Sequence, residues 1–447
     1  MGGEEWVLQT VDIYDLGRVI RKVRKERGLR LEDLADGNIS PATISNIERG
    51  VPHVRSDRAF YVLEKLGISS DQVPELLSGE QHWYQSLERQ LKLAEVQCEI
   101  GNSEAVLKEL RDLSIGDDSP LAPQLFYIRG KCWVSQKKWK RAEQSLHKAI
   151  HLADQTSPET NIEAAAYLEL GVARYQQNDL VRALQWTDSG ISAFQAEGDR
   201  PYLWYILQKN RGLFLERLGR VGECLKLVQD IWPKLKYIDN TADVLAFYWL
   251  RAEMCYRMKM ATDAIHYASE GLDIARRSLH YRSIVTLCTV LGNIYMKEKE
   301  FHIAERYYQT ALNCPQVGVS KSLTKTLIGL GVLYSRQGDH GQALDTFDQA
   351  IQNAREHNDA PRLVNALLLK GDLYGKVNKD QEAIRVYEEA LHLARDYGYK
   401  KPEHRALYCL AEMWKNKDEE EFFRYIRNMY EIQKDIQDKE DFLDEVE

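Results

Sequence analysis

The residues of this 447-residue sequence whose types could do chemistry are suited to recognition, not to making bonds. Asn210, Asn293 and Asn365 stand inside stretches of helical periodicity. Asparagine is a poor helix former, so each position invites a reason. A carboxamide can pair with both a C=O and an N–H of an extended backbone, which no charged side chain can do. Arg217, Arg257, Lys297, Arg336 and Lys376 recur at intervals of about forty residues and could take a carboxylate or an acidic peptide, although the helix dipole alone also favours a cation near a helix end. Reactive constellations are missing. His147 and His151 have the i, i+4 spacing of metal ligands but no third ligand, and read as two solvated histidines. Gly329-Leu330-Gly331 lacks the third glycine and the preceding strand of a phosphate-cradling loop. There is no G-x-S-x-G, H-E-x-x-H or P-loop. The 7 cysteines are scattered without any C-x-x-C, so reduced thiols are expected rather than a disulfide framework or a zinc site. No enzyme, no metal and no cofactor is expected.

A net charge of −8 argues against a chain that coats nucleic acid indiscriminately, but the charge is uneven. Arg18, Arg21, Lys22, Arg24, Lys25, Arg27 and Arg30 face only Glu26 within one short stretch, while Asp418 to Glu421 and Asp438 to Glu447 are acidic runs that read as a solvated end. No apolar run reaches the roughly 18 residues that cross a bilayer. Met1-Gly2-Gly3-Glu4-Glu5-Trp6 lacks both a signal-peptide core and a myristoylation signal. A cytoplasmic protein that does not enter membranes is expected.

These residues are positioned by a repeat. In Leu327 to Ala350, Gly331 is an anchor with Leu327 and Leu330 before it, then Tyr334, Ala343, Phe347 and Ala350 after it. This spacing predicts two antiparallel helices joined at Gln337-Gly338-Asp339, close together where small residues leave room. Equivalent anchors fall at Ala94, Gly130, Gly171, Gly212, Ala252, Gly292, Gly371 and Ala411, which predicts about nine helical hairpins. The anchor glycine, the aromatic after it and the alanine column (Ala142, Ala183, Ala264, Ala304, Ala343, Ala383) resemble the tetratricopeptide repeat. The resemblance implies an all-α, right-handed solenoid over residues 80–435, with first helices lining a concave groove that holds an extended peptide or a helix. Groove-facing polar residues, counted from the anchors, are Lys209, Asn210, Glu216, Trp249, Glu253, Tyr256, Asn293, Lys325, Asn365 and Asp372. Peptide binding is expected at Lys209, Asn210, Glu253, Tyr256, Asn293, Lys325, Asn365 and Asp372.

Residues 12–78 read as about five short helices. Leu16, Val19, Ile20 and Val23 share one face of the first helix, Gly28 ends it, and Ser40 caps a helix that begins with Pro41. The residues Ile20 to Arg24, Leu34-Ala35, Ile39-Ser40, Thr43 to Gly50 and Leu63 to Gly67 resemble the helix-turn-helix of the Xre/Cro repressors. That implies a recognition helix Pro41 to Glu48 in the major groove, with Ala42, Thr43, Ser45 and Asn46 toward base edges. Ser40, Arg49 and Arg30 complete the expected DNA-binding set, Arg49 on phosphate, although Arg30 stands where the family usually has Ser or Thr. Arg24 and Glu48 correspond to a buried ion pair in relatives.

Such a head followed by such an array, with an acidic tail over 436–447, resembles the Rap, Rgg, NprR, PlcR and PrgX group of peptide-responsive regulators. The resemblance implies a homodimeric transcription regulator with three partners: a double-stranded DNA operator, a short linear signalling peptide, and a second copy. The other reading is an array that binds or sequesters a protein such as a response regulator.

Overall fold

In the computed structural model, residues 13–51, 54–69, 72–113, 115–117, 119–156, 158–315 and 320–444 are described. They form two units, residues 1–157 and 158–447, and every regular element among the described residues is a helix.

The first unit opens with four short helices, α1 (Ile13–Glu26), α2 (Leu31–Leu34), α3 (Pro41–Glu48) and α4 (Ser56–Lys65). Leu16, Val19, Ile20 and Val23 of α1 are buried with Leu34, Ile39, Ile44, Ile47, Val62 and Leu63, the apolar stripe of an amphipathic helix closing on its neighbours. Gly17 is required for this packing. A Cβ there would run into the Ile47 carbonyl, so α1 and α3 touch backbone to backbone. Asp36 pins the α2–α3 turn by accepting from Asn38 N at 2.8 Å, Ile39 N at 3.0 Å and the Tyr61 hydroxyl at 2.6 Å.

The fifth short helix expected before residue 78 is the start of a long one. Helix α5 (Val73–Glu99) runs through Gly79, because an isolated glycine weakens a helix without ending it. It pairs with α6 (Ser103–Arg111), and α7 (Ala122–Ser135) pairs with α8 (Trp139–Thr156).

The second unit contains seven more hairpins: α9 (Ile162–Gln176) with α10 (Leu180–Ala193), α11 (Tyr202–Leu218) with α12 (Val221–Ile231), α13 (Thr241–Arg257) with α14 (Ala261–Arg277), and α15 (Tyr281–Lys297) with α16 (Phe301–Leu312). The series continues as α17 (Leu323–Gln337) with α18 (His340–Glu356), α19 (Ala360–Lys376) with α20 (Asp380–Asp396), and α21 (Lys400–Trp414) with α22 (Glu419–Asp444). Residues 436–444 of the expected acidic tail continue α22, and 445–447 lie outside the described residues.

The anchors do what their spacing implies. A Cβ on Gly331 would stand 2.8 Å from the Phe347 ring, and one on Gly292 would stand 2.6 Å from Tyr308. The large residue of the second helix thus lies directly on the glycine of the first. Gly329 makes room for the other side of the same Tyr308 ring, at 2.8 Å. In six of the seven hairpins of the second unit the turn residue seven positions after the anchor is left-handed: Asn178 (φ 62), Gly219 (76), Lys259 (64), Lys299 (66), Gly338 (86) and Asn378 (59). Lysine and asparagine tolerate this at a cost that glycine does not carry. The α11–α12 hairpin is irregular. Pro233 turns the end of its second helix into a 3-10 segment, Trp232–Tyr237, and Arg251 lies 4.1 Å from the Trp232 ring and 4.0 Å from the Tyr267 ring. No helix among the described residues is long and apolar enough to cross a membrane.

Candidate functional site

In the head, Ser40 caps α3 by accepting from Thr43 N at 3.1 Å, and its hydroxyl lies 2.9 Å from that of Thr43. Ile44 and Ile47 turn inward, so Ala42, Thr43, Ser45 and Asn46 are left on the accessible side of α3. Arg49 Nη2 donates to Asn46 Oδ1 at 2.5 Å, and Arg30 is exposed at the start of α2. Glu48 is buried by α1: Arg24 Nε donates to its Oε1 at 2.6 Å and Nη2 to its Oε2 at 2.8 Å. Arg24 is therefore taken up inside the head and does not reach outward. This side-chain hydrogen bond to Glu48 is the main reason its guanidinium pKa is raised.

In the second unit, several side chains join hairpins that are not neighbours. Each hairpin of a solenoid touches only the next along its flank, so bonds that skip hairpins can be made only across its hollow side. Lys325 of α17 reaches Glu253 of α13 at 2.7 Å and Glu216 of α11 at 3.8 Å. Arg257 Nε donates to Glu253 Oε1 at 2.9 Å and its Nη2 pairs with Glu216. Burial would by itself raise the Glu253 pKa, but Lys325 and Arg257 outweigh it and hold the value down at about 2. Glu253 Oε2 accepts no hydrogen bond. A second set of bridges lies nearer the turns. Arg217 donates to Asp359 at 2.8 Å, Asn178 Nδ2 to Asn358 O at 3.2 Å, Asn358 Nδ2 to Gln176 O at 2.9 Å and Tyr399 to Asn178 O at 3.0 Å.

The eight residues expected to bind peptide fall into three groups. Glu253 and Lys325 are brought together, with Lys325 also 5.6 Å from the Trp249 ring. Others are held by neighbours: Lys209 pairs with Asp243 at 2.6 Å, Asn293 accepts from the Tyr308 hydroxyl at 2.7 Å, Asp372 accepts from Tyr387 at 2.8 Å, and the Tyr256 ring carries Lys297 at 5.2 Å. Asn293 thereby commits one lone pair of its oxygen to Tyr308 and keeps both amide N–H groups to offer. Asn210 is half-buried and Asn365 exposed, and neither amide is hydrogen-bonded to another side chain. Counting along first helices missed the residues contributed by turns, namely Asn178, Lys321, Asn358, Asp359 and Tyr399. Their one visible signal was the recurrence of Asn at turns. His147 and His151 are exposed on α8, and no group of three or more possible metal ligands occurs among the described residues.

A helix-turn-helix family model matches residues 20–73, and a tetratricopeptide-repeat family model matches residues 282–356 and 322–396. A helix-turn-helix match thus precedes tetratricopeptide-repeat matches in one chain. The chain is 24% identical over 194 residues to response regulator aspartate phosphatase E of Bacillus subtilis (strain 168), covering 42% of the chain and 51% of that relative. The alignment therefore spans about half of the relative's length. Among solved structures it is similar to a Rap protein complexed with competence and sporulation factor, with TM-score 0.59, 13% identity, and coverage of 79% of this chain and 99% of that one. It is also similar to the quorum sensor NprR from B. thuringiensis in its apo form, with TM-score 0.54, 15% identity, and coverage of 78% and 99%. A structure of NprR in complex with its cognate peptide NprX gives TM-score 0.56 at 14% identity, with coverage of 78% and 99%. These likenesses establish a fold shared with the Rap protein and with NprR.

Proposed function

We propose that this protein is a cytoplasmic transcription regulator. Its array takes a short signalling peptide on the hollow side of the second unit, and its head binds a double-stranded operator as a homodimer. The observation that carries this reading is the pairing, in one chain, of an outward-facing α3 with a hollow side lined by polar groups from non-neighbouring hairpins. A peptide that bonds better to one spacing of those hairpins than to another shifts the pitch of the solenoid, because it binds two states unequally. Two heads would then fit or fail to fit half-sites about one helical turn apart, roughly 34–36 Å. The fold similarity to NprR in complex with its cognate peptide supports the peptide part. Asn210 and Asn365, whose amides no other side chain engages, would pair with the peptide backbone, Asn293 would offer its N–H groups, and Lys325 and Glu253 would meet polar groups of the peptide.

The test is a gel shift of the intact protein on its own promoter region, with and without synthetic peptides encoded beside the gene. Sequence-specific binding that weakens steeply with salt is expected. Its absence would sink the operator assignment. Asn365→Ala should lose the peptide response with an unchanged melting temperature, and unchanged peptide affinity would remove Asn365 from the site. A second reading, an array that binds a response regulator, draws on the similarity to the Bacillus subtilis protein of that name. It is favoured if the gel shift fails and a response regulator co-purifies.

A further inference from the structure

Asp359 stands just before α19 with its side chain fully buried, and both of its oxygens are occupied. Arg217 Nη1 holds Oδ1 at 2.8 Å and Arg362 Nη1 holds Oδ2 at 2.7 Å. A third cation is close by. Lys321, just ahead of α17, shares the Tyr175 ring with Arg217, whose guanidinium lies 5.2 Å from its centre, and it pairs with neither carboxylate oxygen of Asp359. The polar or aromatic group facing it is the Tyr175 ring of α9, at 5.0 Å. Tyr399, from the connection after α20, gives its hydroxyl proton to Asn178 O and supplies no negative charge. Three cations therefore lie around Asp359, and the one further carboxylate that Arg217 feels is Glu216. Glu216 and Glu253 already face Arg257 and Lys325, so across the two bridges five cations meet three carboxylates.

An excess of buried positive charge is unfavourable unless an anion completes it. Arg217 and Arg362 have each spent one nitrogen on Asp359, and a guanidinium carries five N–H donors. The N-terminus of α17, beside Lys321, has no side-chain cap, because Ser322 makes none. The positive end of its helix dipole adds potential at the same place. We propose that Lys321, Arg217 and Arg362 form a receptor for a carboxylate of the bound peptide, either its C-terminus or an Asp or Glu side chain. This rests on the peptide reading above and names the group that the hollow side would recognise. A bidentate carboxylate suits the open edge of a guanidinium next to an ammonium.

The probes are N-acetylglycine, which mimics a peptide C-terminus, its neutral counterpart N-acetylglycinamide, and the α-amide of N-acetylaspartic acid, which mimics an acidic side chain. Thermal unfolding of the full chain is followed at pH 7 and matched ionic strength. A carboxylate probe at several times its dissociation constant should raise the melting temperature by about 2 °C over the neutral amide. The larger of the two acid shifts identifies the source. Lys321→Gln should abolish the difference and Lys321→Arg should keep it. Lys321 is half-buried and makes no ion pair, its contact being the Tyr175 ring, so neither variant should impair folding. Equal shifts from acid and amide, or a difference that survives in K321Q, would overturn the receptor. If peptides bind while this test fails, the receptor alone falls. If the acid shift appears but no peptide binds, the peptide reading falls and the receptor stands.

Discussion

Arg217 and Asp359 are 142 residues apart in the chain and 2.8 Å apart in space. One belongs to the end of α11 and the other to the connection before α19, so the pair ties the fourth hairpin to the eighth. Burial alone would raise the Asp359 pKa, but Arg362, Arg217 and Lys321 outweigh it and hold the carboxyl well below the usual range.

Removing the carboxylate should therefore cost more than removing either partner. Asp359→Asn takes from Arg217, Arg362 and Lys321 the carboxylate they share and is expected to destabilise the second unit by about 3–5 kcal/mol. Arg217→Met leaves Asp359 still paired with Arg362, and about half of that is expected. Urea unfolding midpoints of the two variants and of the double variant measure this. Equal losses in the two single variants would show that the charges are not shared as described.

The same cluster has a pH signature. Burial lowers the Lys321 pKa most; Asp359 partly offsets this, Arg217 and Arg362 lower it further, and the outcome is about 8 against 10.5 for the free side chain. Between those values the unfolded chain holds the proton that the folded chain has lost. The Lys321 contribution to stability therefore rises with pH from about 8 upward. Lys321→Gln should flatten the change in unfolding midpoint between about pH 7.5 and 9.5 relative to the parent. On the acid side, Glu253 held at about 2 contributes stability that is present above the ordinary carboxyl value of 4.5 and fades as pH falls toward 2. Glu253→Gln should remove part of that acid sensitivity, and an unchanged profile would refute it.

Close packing at the anchors makes them sensitive to a single methyl group. Gly331→Ala would push a Cβ to 2.8 Å from the Phe347 ring and is expected to cost about 1–3 kcal/mol. Phe347→Leu in the same chain should recover part of that loss, whereas Gly338→Ala, open but left-handed at φ 86, should cost about 1 kcal/mol with no such rescue. Melting temperatures of the four proteins would separate steric from backbone effects.

In the head, Asn46→Ala should lower affinity for the operator by about 1–3 kcal/mol and relax specificity at one base pair. Arg49→Ala should weaken binding to all sequences and make the salt dependence shallower by about one phosphate contact. Glu48→Ala should unfold the head, because it strands Arg24. Gel shifts at several salt concentrations distinguish the first two, and circular dichroism reports the third.

Much of the fold could be read from local periodicity. Gly331 with Phe347 sixteen residues on, Ser40 ahead of Pro41, and Leu16 with Ile20 each encode a contact that the helix period settles by itself. The head residues Ala42, Thr43, Ser45 and Asn46 were legible because the cap and the two inward isoleucines determine which side of α3 is left outside. Asn293 stood out in the sequence as a polar residue inside a helix, but its engagement with Tyr308 was not legible, since that needs the rotamers of two helices at once. Helix α5 passed its expected end because nothing after Ser78 competes with the helix strongly enough to stop it.

Sequence alone determined the hairpins, their anchors and the chemical character of the polar residues, because each depends on neighbours within about forty positions. Only the tertiary structure decided which charges meet. Lys325 with Glu216, Arg217 with Asp359 and Asn178 with Asn358 come together because small rotations between successive hairpins add up until distant ones face each other across the hollow side. No spacing in the chain records that sum.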